Sequence, residues 1–534
     1  MRLTYEGLKD KASWNNAGIT LPSYNVEEVA ERTRKNPLWV HFGIGNIFRI
    51  FIGGIADKLI SSGAIDRGIT CIETFDYDVV DKIYAPFDNL ALAVTLHEDG
   101  RTDKRVLGSL CEALKAPADF ARMKEIFASE SLQLVSFTIT EKGYALHGSD
   151  GKYLRYVEAD MNNGPEKSTG AMAIVTAMLL ERFKAGAKPL ALVSMDNVSQ
   201  NGKKLRESVI ETAEKWQEKN FVPAEFAAYV KDESKISFAW TMIDKITPRP
   251  SEDVAKMLGD LGVDDMSIVV TSKKTYIAPF VNAEEPQYLV IEDSFPNGRP
   301  EFEKAEAGVF MTDRKTVNLS ERMKVTACLN PIHTALCTYD CMLGYTLFAD
   351  GMHDPELAKL AQTVGYVEGL PVVDDPKILS PKKFLDEVLN VRFPNPYLGD
   401  TSARIAVDIS QMVGIRFGET IKAYVARDGS AEKLIGIPLA IAGWLRYLLA
   451  LDDNGKKFEL SPDPMIGELT KQLEGIELGK PETVGDKLRP ILSNKNIFEV
   501  NLYDVGLGGK IETIFKEEVA GFGAVRATLK KYLA

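Results

Sequence analysis

Five segments of this 534-residue chain combine residue types that could do chemistry. The first runs from an apolar stretch into a glycine turn, Val40-His41-Phe42-Gly43-Ile44-Gly45-Asn46-Ile47-Phe48-Arg49. Gly43 permits a tight turn and Gly45 lets the backbone approach a pyrophosphate. Asn46, Ile47, Phe48 and Arg49 then open a helix whose first amides and dipole attract an anion. Phe48 stands where a third glycine is usual, so the fingerprint is partial. Taken alone, it suits a structural glycine turn as well as a dinucleotide site. Glu73 ends the next apolar run, where a carboxylate accepts hydrogen bonds from ribose hydroxyls and repels a 2′-phosphate; this selects NAD over NADP. The other four segments set polar side chains into apolar surroundings. They are Thr138-Ile139-Thr140-Glu141-Lys142-Gly143-Tyr144, Ser194-Met195-Asp196-Asn197 through Asn201-Gly202, Lys324 through His333, and Arg392 through Arg404. Cys328, His333, Cys337 and Cys341 bracket one helical stretch, and the last three share the i, i+4 spacing of a single face. Zinc takes such ligands, although small thiols among Ala335, Leu336 and Leu343 suit a plain core equally.

The elements that must position these residues alternate in the first half between short apolar runs and helical patterns, which predicts a parallel sheet wrapped by helices. Strands are expected at Trp39-Phe42, Ile69-Ile72, Leu132-Ile139, Leu190-Met195 and Ser267-Thr271, with Tyr288-Glu292 the last strand-like run. A hairpin is expected from Leu90-Leu96 and Arg105-Leu110 around Asp99-Gly100. In a doubly wound sheet ligands sit off the carboxyl ends of strands, and the Thr138 and Ser194 segments both follow strands. Thr140 and Glu141 are therefore expected beside the cofactor. From about Ser320 the pattern is helical, for example Ile405-Ala406-Ile409-Val413 and Leu434-Leu451. The boundary is placed near 295, in Ser294-Phe295-Pro296-Asn297-Gly298-Arg299-Pro300. This gives residues 1–295 as the cofactor domain and 296–534 as a mostly helical substrate domain.

With 45% hydrophobic and 26% charged residues the chain has ample material for two cores. A formal net charge of -12 speaks against a nucleic-acid partner and for a small metabolite. No signal peptide or membrane span is evident. Cys71, Cys111, Cys328, Cys337 and Cys341 are an odd, sparse set that fits reduced thiols in the cytoplasm. The oligomeric state stays open.

Taken in order, Gly43-x-Gly45 with Arg49, the Thr138–Tyr144 stretch, Asp196-Asn197 with Asn201-Gly202, and Ile243-Asp244-Lys245-Ile246-Thr247-Pro248 resemble the polyol-specific long-chain dehydrogenase family. So do Val290-Ile291-Glu292-Asp293-Ser294-Phe295, Lys324 with Leu329-Asn330 and His333, Arg392-Phe393-x-Asn395-Pro396, and Trp444-Leu445-Arg446-Tyr447. That family includes mannitol 2-dehydrogenase, fructuronate reductase and tagaturonate reductase. The resemblance implies a Rossmann-like doubly wound parallel sheet followed by a mainly α-helical C-terminal domain. It also implies a metal-independent, NAD-dependent enzyme that interconverts a sugar-derived ketone and its secondary alcohol. By resemblance Lys324 is the acid/base, Asn197 and Asn330 donate to the reacting oxygen, His333 holds a neighbouring hydroxyl, Arg404 touches the substrate, and Asp244 either touches it or stands behind the residues that do. A lysine, ordinarily at ~10.4, does this near neutral pH only where burial or a neighbouring cation lowers its pKa.

Two departures follow. The family spaces lysine to asparagine by five and lysine to histidine by eight, whereas Asn330 and His333 lie six and nine after Lys324. One extra residue turns a regular helix by ~100°. Either the site is broken or the insertion is absorbed; Pro331 cannot donate an amide hydrogen and disturbs the same turn, and a π-bulge between Lys324 and Asn330 would absorb the extra residue. Downstream, Met412 replaces a lysine that the family places eight residues after its arginine, here Arg404. A substrate carboxylate would suit Arg404, helped by Arg392, which favours a uronate, with D-fructuronate and D-mannonate as the best guess, over fructose and mannitol; tagaturonate, itself a uronate, stays an alternative. A zinc-dependent dehydrogenase and a non-catalytic NAD or sugar-acid sensor are the readings from other classes.

Overall fold

Six apolar runs form one parallel sheet: β1 (Trp39–Phe42), β2 (Ile69–Glu73), β3 (Leu110–Lys115), β4 (Leu134–Phe137), β5 (Leu190–Ser194) and β6 (Ile236–Ala239). The order is β3-β2-β1-β4-β5-β6, and every neighbouring pair is parallel. Both faces of such a sheet are covered, so β1, β2, β4 and β5 are buried along their whole length. Alternate residues feed opposite cores. Val40, Phe42, Val135, Phe137 and Leu192 point to one, and Trp39, Cys71, Leu134, Ala191 and Val193 to the other. The crossovers carry α1 (Gly53–Ser61), α2 (Phe120–Ala128), α3 (Ala171–Lys184) and α4 (Asn201–Glu218). Strand order reverses at β1 and β4, so their carboxyl ends open a crevice where a doubly wound sheet binds ligands.

The computed structural model describes all residues, Met1–Ala534, as two compact units, Met1–Asn318 and Leu319–Ala534. The expected boundary near 295 falls inside the first unit. Val309–Thr312 pairs parallel with Tyr288–Glu292, a non-local pairing that a four-residue run gives no hint of. Three other expectations shift. Ala91–Leu96 pairs antiparallel with Thr102–Leu107 across a turn in which Gly100 has φ 82°, and Leu110 begins β3 instead. Of Ser267-Thr271 only Val269–Val270 is extended, in a small antiparallel pair with Tyr276–Ile277, and the intervening Lys274 takes a left-handed φ of 63°. The Ile405–Val413 pattern is not one helix, because Asp408 at φ 57° breaks it between Ser402–Ile405 and Ile409–Gln411.

The second unit contains helices and no sheet. Its centre is α7 (Gly436–Tyr447), buried on every side, with α5 (Asn330–Leu343), α6 (Glu419–Asp428) and α8 (Gly508–Glu518) in the same unit. The Glu368 carboxylate accepts the amides of Ile435, Gly436 and Ile437 at 2.5, 2.8 and 2.8 Å, which satisfies the orphan donors at the start of α7. At its other end the buried Arg446 donates to the carbonyls of Leu451, Asp452 and Glu518.

Candidate active site

In the first unit the site is built from the loops after β1, β2, β4 and β5. Gly43 has φ 85°, and a Cβ there would lie 2.2 Å from the carbonyl oxygen of Thr138, so only glycine fits. The Thr138 hydroxyl donates to the Gly43 carbonyl at 2.7 Å, and the Thr138 amide donates to Phe42 at 2.9 Å. A Cβ on Gly45 would meet nothing within 4 Å. The half-buried Asn46 and Ile47 follow as a helix start, whose amides have no acceptor within the helix. Open space before such amides fits a pyrophosphate. Phe48 replaces the third glycine for a packing reason: its ring is fully buried and stacks on His41 with centroids 4.0 Å apart. His41 in turn bonds Ser136 Oγ at 2.6 Å and Thr138 Oγ1 at 2.9 Å, and burial holds its pKa well below the usual imidazole range.

Two expected cofactor contacts do other work. The Arg49 guanidinium is buried and donates to the carbonyls of Ala278 (2.7 Å) and Phe280 (3.0 Å), bracing the glycine turn from behind. Desolvation lowers its pKa to about 10, and its Nε and Nη1 have no partner. Glu73 Oε1 accepts the amides of Thr74, Phe75 and Asp76 at 3.0, 2.9 and 3.2 Å, and Oε2 accepts Ile44 at 3.4 Å. The carboxylate thus ties the β2 turn to the β1 turn. Burial raises its pKa while the four amides oppose the rise.

Beyond β4, Asp196 accepts the amides of Ile139 and Thr140, both at 2.9 Å, and the Tyr144 hydroxyl at 2.6 Å; burial raises its carboxyl. This holds Thr140 at φ 64° in the left-handed region. Glu141 is 65% exposed and pairs with Lys204. Asn197, exposed, follows Asp196. Asn201 Nδ2 reaches the Asp196 carbonyl at 3.0 Å and both the carbonyl and hydroxyl of Thr241, at 3.0 and 2.9 Å. That stitch ties the Asn197 loop to the strand Thr241–Asp244, which ends at the buried Asp244. Tyr144, Ser194, Thr138 and His41 lie in segments marked out by sequence, which does not assign their supporting roles; their signal is a polar group in apolar surroundings.

In the second unit a π turn spans Lys324–Cys328, with the Lys324 carbonyl accepting the Leu329 amide five residues on at 3.1 Å. This is the expected widening, and it takes up the extra residue before Asn330 starts α5 with Pro331 in its first turn. Lys324 is 2% exposed. In the i to i+5 register the Thr326 carbonyl would look to the amide of Pro331, which has no hydrogen. The buried Thr420 hydroxyl donates to it instead, at 3.1 Å. His333 stacks on Phe393 at 4.3 Å and meets Phe348 edge-on at 4.7 Å. Arg392 is buried, 5.9 Å from the Phe384 ring centre, whereas Arg404 is 67% exposed and paired with Asp400. The four zinc-candidate residues do not gather as ligands. Cys328 faces the Pro381 carbonyl and Cys337 the Thr334 carbonyl. Burial pushes the Cys328 and Cys341 thiols up to about 12.

Residues 38–304 match the family model of the mannitol dehydrogenase Rossmann domain, and residues 317–516 that of the mannitol dehydrogenase C-terminal domain. The chain is 52% identical over 535 residues to the D-mannonate oxidoreductase of Thermotoga maritima, covering 99% of each. To the D-mannonate oxidoreductase of Escherichia coli it is 28% identical over 502 residues, covering 91% of this chain and 93% of that one. Among solved structures it is similar to a D-sorbitol dehydrogenase in substrate-free form, with TM-score 0.80, 26% identity, and 96% of this chain and 98% of that one covered.

Proposed function

The chain belongs to the mannitol dehydrogenase family of oxidoreductases, and from that footing we propose that it is an NAD-dependent enzyme interconverting D-fructuronate and D-mannonate. The full-length similarity to D-mannonate oxidoreductase carries this reading. NAD(H) supplies the hydride acceptor or donor when bound. Gly43, Gly45 and the helix start at Asn46 and Ile47 hold its pyrophosphate, and the Glu73 charge disfavours a 2′-phosphate.

Lys324 is the proton donor and acceptor. In reduction its ammonium gives a proton to the ketone oxygen as charge develops there, and in oxidation the neutral amine takes the hydroxyl proton. Its burial supports this, because water is kept from competing for the proton. The amides of Asn197 and Asn330 donate to the same oxygen, an effect of ~3 kcal/mol per donor in the transition state. His333 holds the adjacent hydroxyl, its ring oriented by Phe393 and Phe348. Asp244 fixes the substrate from the end of its strand. By resemblance Arg404 and Arg392 are offered to the sugar acid, although Arg404 is already paired with Asp400. Free cysteines suit a reducing compartment such as the cytoplasm, and no helix is long and apolar enough to cross a membrane.

The test is an NADH-consumption screen over D-fructuronate, D-tagaturonate, D-fructose and D-xylulose, repeated with NADPH. D-Fructuronate with NADH should give the highest kcat/KM. Turnover confined to D-fructose, or equal efficiency with NADPH, refutes the corresponding assignment, and no oxidation with any ketone returns the chain to a sensor role.

A further inference from the structure

Resting on that reading, we infer that Arg416 binds the carboxylate of the sugar-acid substrate. Arg416 lies in the π turn Gly414–Gly418 and is half-buried. Its Nη1 donates to Thr334 Oγ1 at 2.5 Å. Desolvation lowers its pKa to about 10, the buried Cys337 thiol lies beside it, and no carboxylate pairs with it. Three other arginines of the same unit are ion-paired. Arg322 pairs with Asp374 and Glu419, Arg526 with Asp354 and Glu356, and Arg404 with Asp400. A half-buried guanidinium that no carboxylate neutralises is the one left to pair with an incoming anion.

The surroundings say which anion. Thr334 is buried on α5, adjacent in sequence to His333 and one helical turn beyond Asn330, so the Arg416 fork is held against the helix that carries two of the proposed substrate contacts. Its amide bonds the Met412 carbonyl at 2.9 Å, which puts it one turn after the position where the resemblance leads one to expect a lysine and this chain has a neutral methionine. The cation is thus supplied one turn later, as a planar fork that matches a carboxylate in two parallel hydrogen bonds rather than as a point charge. Arg404, paired and largely in solvent, is the weaker choice for that contact.

D-Fructuronate and D-fructose differ at the far end of the chain only in carboxylate against hydroxymethyl, so their kcat/KM ratio isolates this contact. Arg416→Gln should lower the ratio by about 10- to 100-fold, mainly through KM for D-fructuronate, as loss of a hydrogen-bonded ion pair requires. Arg416→Lys should lower it less. D-Mannonate should raise Tm of the wild-type protein and of Arg416→Lys more than that of Arg416→Gln. An unchanged ratio in Arg416→Gln, or in Arg416→Lys should the glutamine variant not fold, overturns the role of Arg416 while leaving the functional reading intact. Wild-type protein inert toward D-fructuronate overturns the functional reading and this inference with it.

Discussion

Thr420→Val removes one hydroxyl and keeps the shape, so it asks whether the π turn beneath Lys324 depends on its side-chain stitch. The lost contact is the 3.1 Å hydrogen bond from Thr420 to the Thr326 carbonyl, and both residues are buried. A buried carbonyl left without a donor costs ~1–3 kcal/mol. The low end applies here, because a cavity of about 270 Å³ lined by Thr326, Ala327 and Thr420 can admit a water to the freed oxygen. A loss of ~1 kcal/mol lowers Tm by roughly 2–4 °C in a unit of this size. If all of it appears as misplacement of Lys324, kcat falls by about fivefold, since 1.36 kcal/mol is tenfold in rate. Differential scanning calorimetry and steady-state kinetics would read the two quantities, with NADH affinity measured by fluorescence as the control expected to stay constant. Thr420→Ser should restore both. A valine variant with wild-type Tm and kcat would refute the argument that the missing Pro331 amide makes the turn depend on Thr420.

Three further outcomes are expected. Lys324→Ala should bind NADH normally, lose ~10²-fold or more in turnover, and lose the inflection of the pH profile for alcohol oxidation, with partial recovery in added small amines; wild-type turnover would end the proposed mechanism. Exhaustive chelation should leave activity unchanged, whereas loss restored by zinc would bring back the cysteine cluster. Asp340, pushed up to about 8 by burial, has Oδ1 unpartnered and Oδ2 accepting from Ser402 at 2.7 Å. Because its folded pKa lies above the unfolded one, its stabilising contribution is complete below the ordinary carboxyl range and is lost as pH rises through about 8. Asp340→Asn should therefore show a smaller fall in Tm than the wild type between about pH 6 and about pH 9; equal slopes would contradict the assignment.

The sequence by itself determined the features governed by near neighbours. A short apolar run before Gly43-x-Gly45 can hardly be anything but a strand entering a turn, and alternation along β1, β2, β4 and β5 follows from burial on two faces. The π turn was legible because a one-residue insertion and a proline without an amide hydrogen leave few ways to keep a helix continuous. Tertiary structure decided where partners come from a distance. Thr420 meets a carbonyl 94 residues away, and Arg416 meets Thr334 across 82. Glu368 caps a helix 68 residues on. No local pattern marks such residues, since threonine, arginine and glutamate are equally at home on a solvated surface. The same limit applies to Oε2 of Glu73 and to Nη2 of Arg49, whose backbone partners come from other loops and have no local signature.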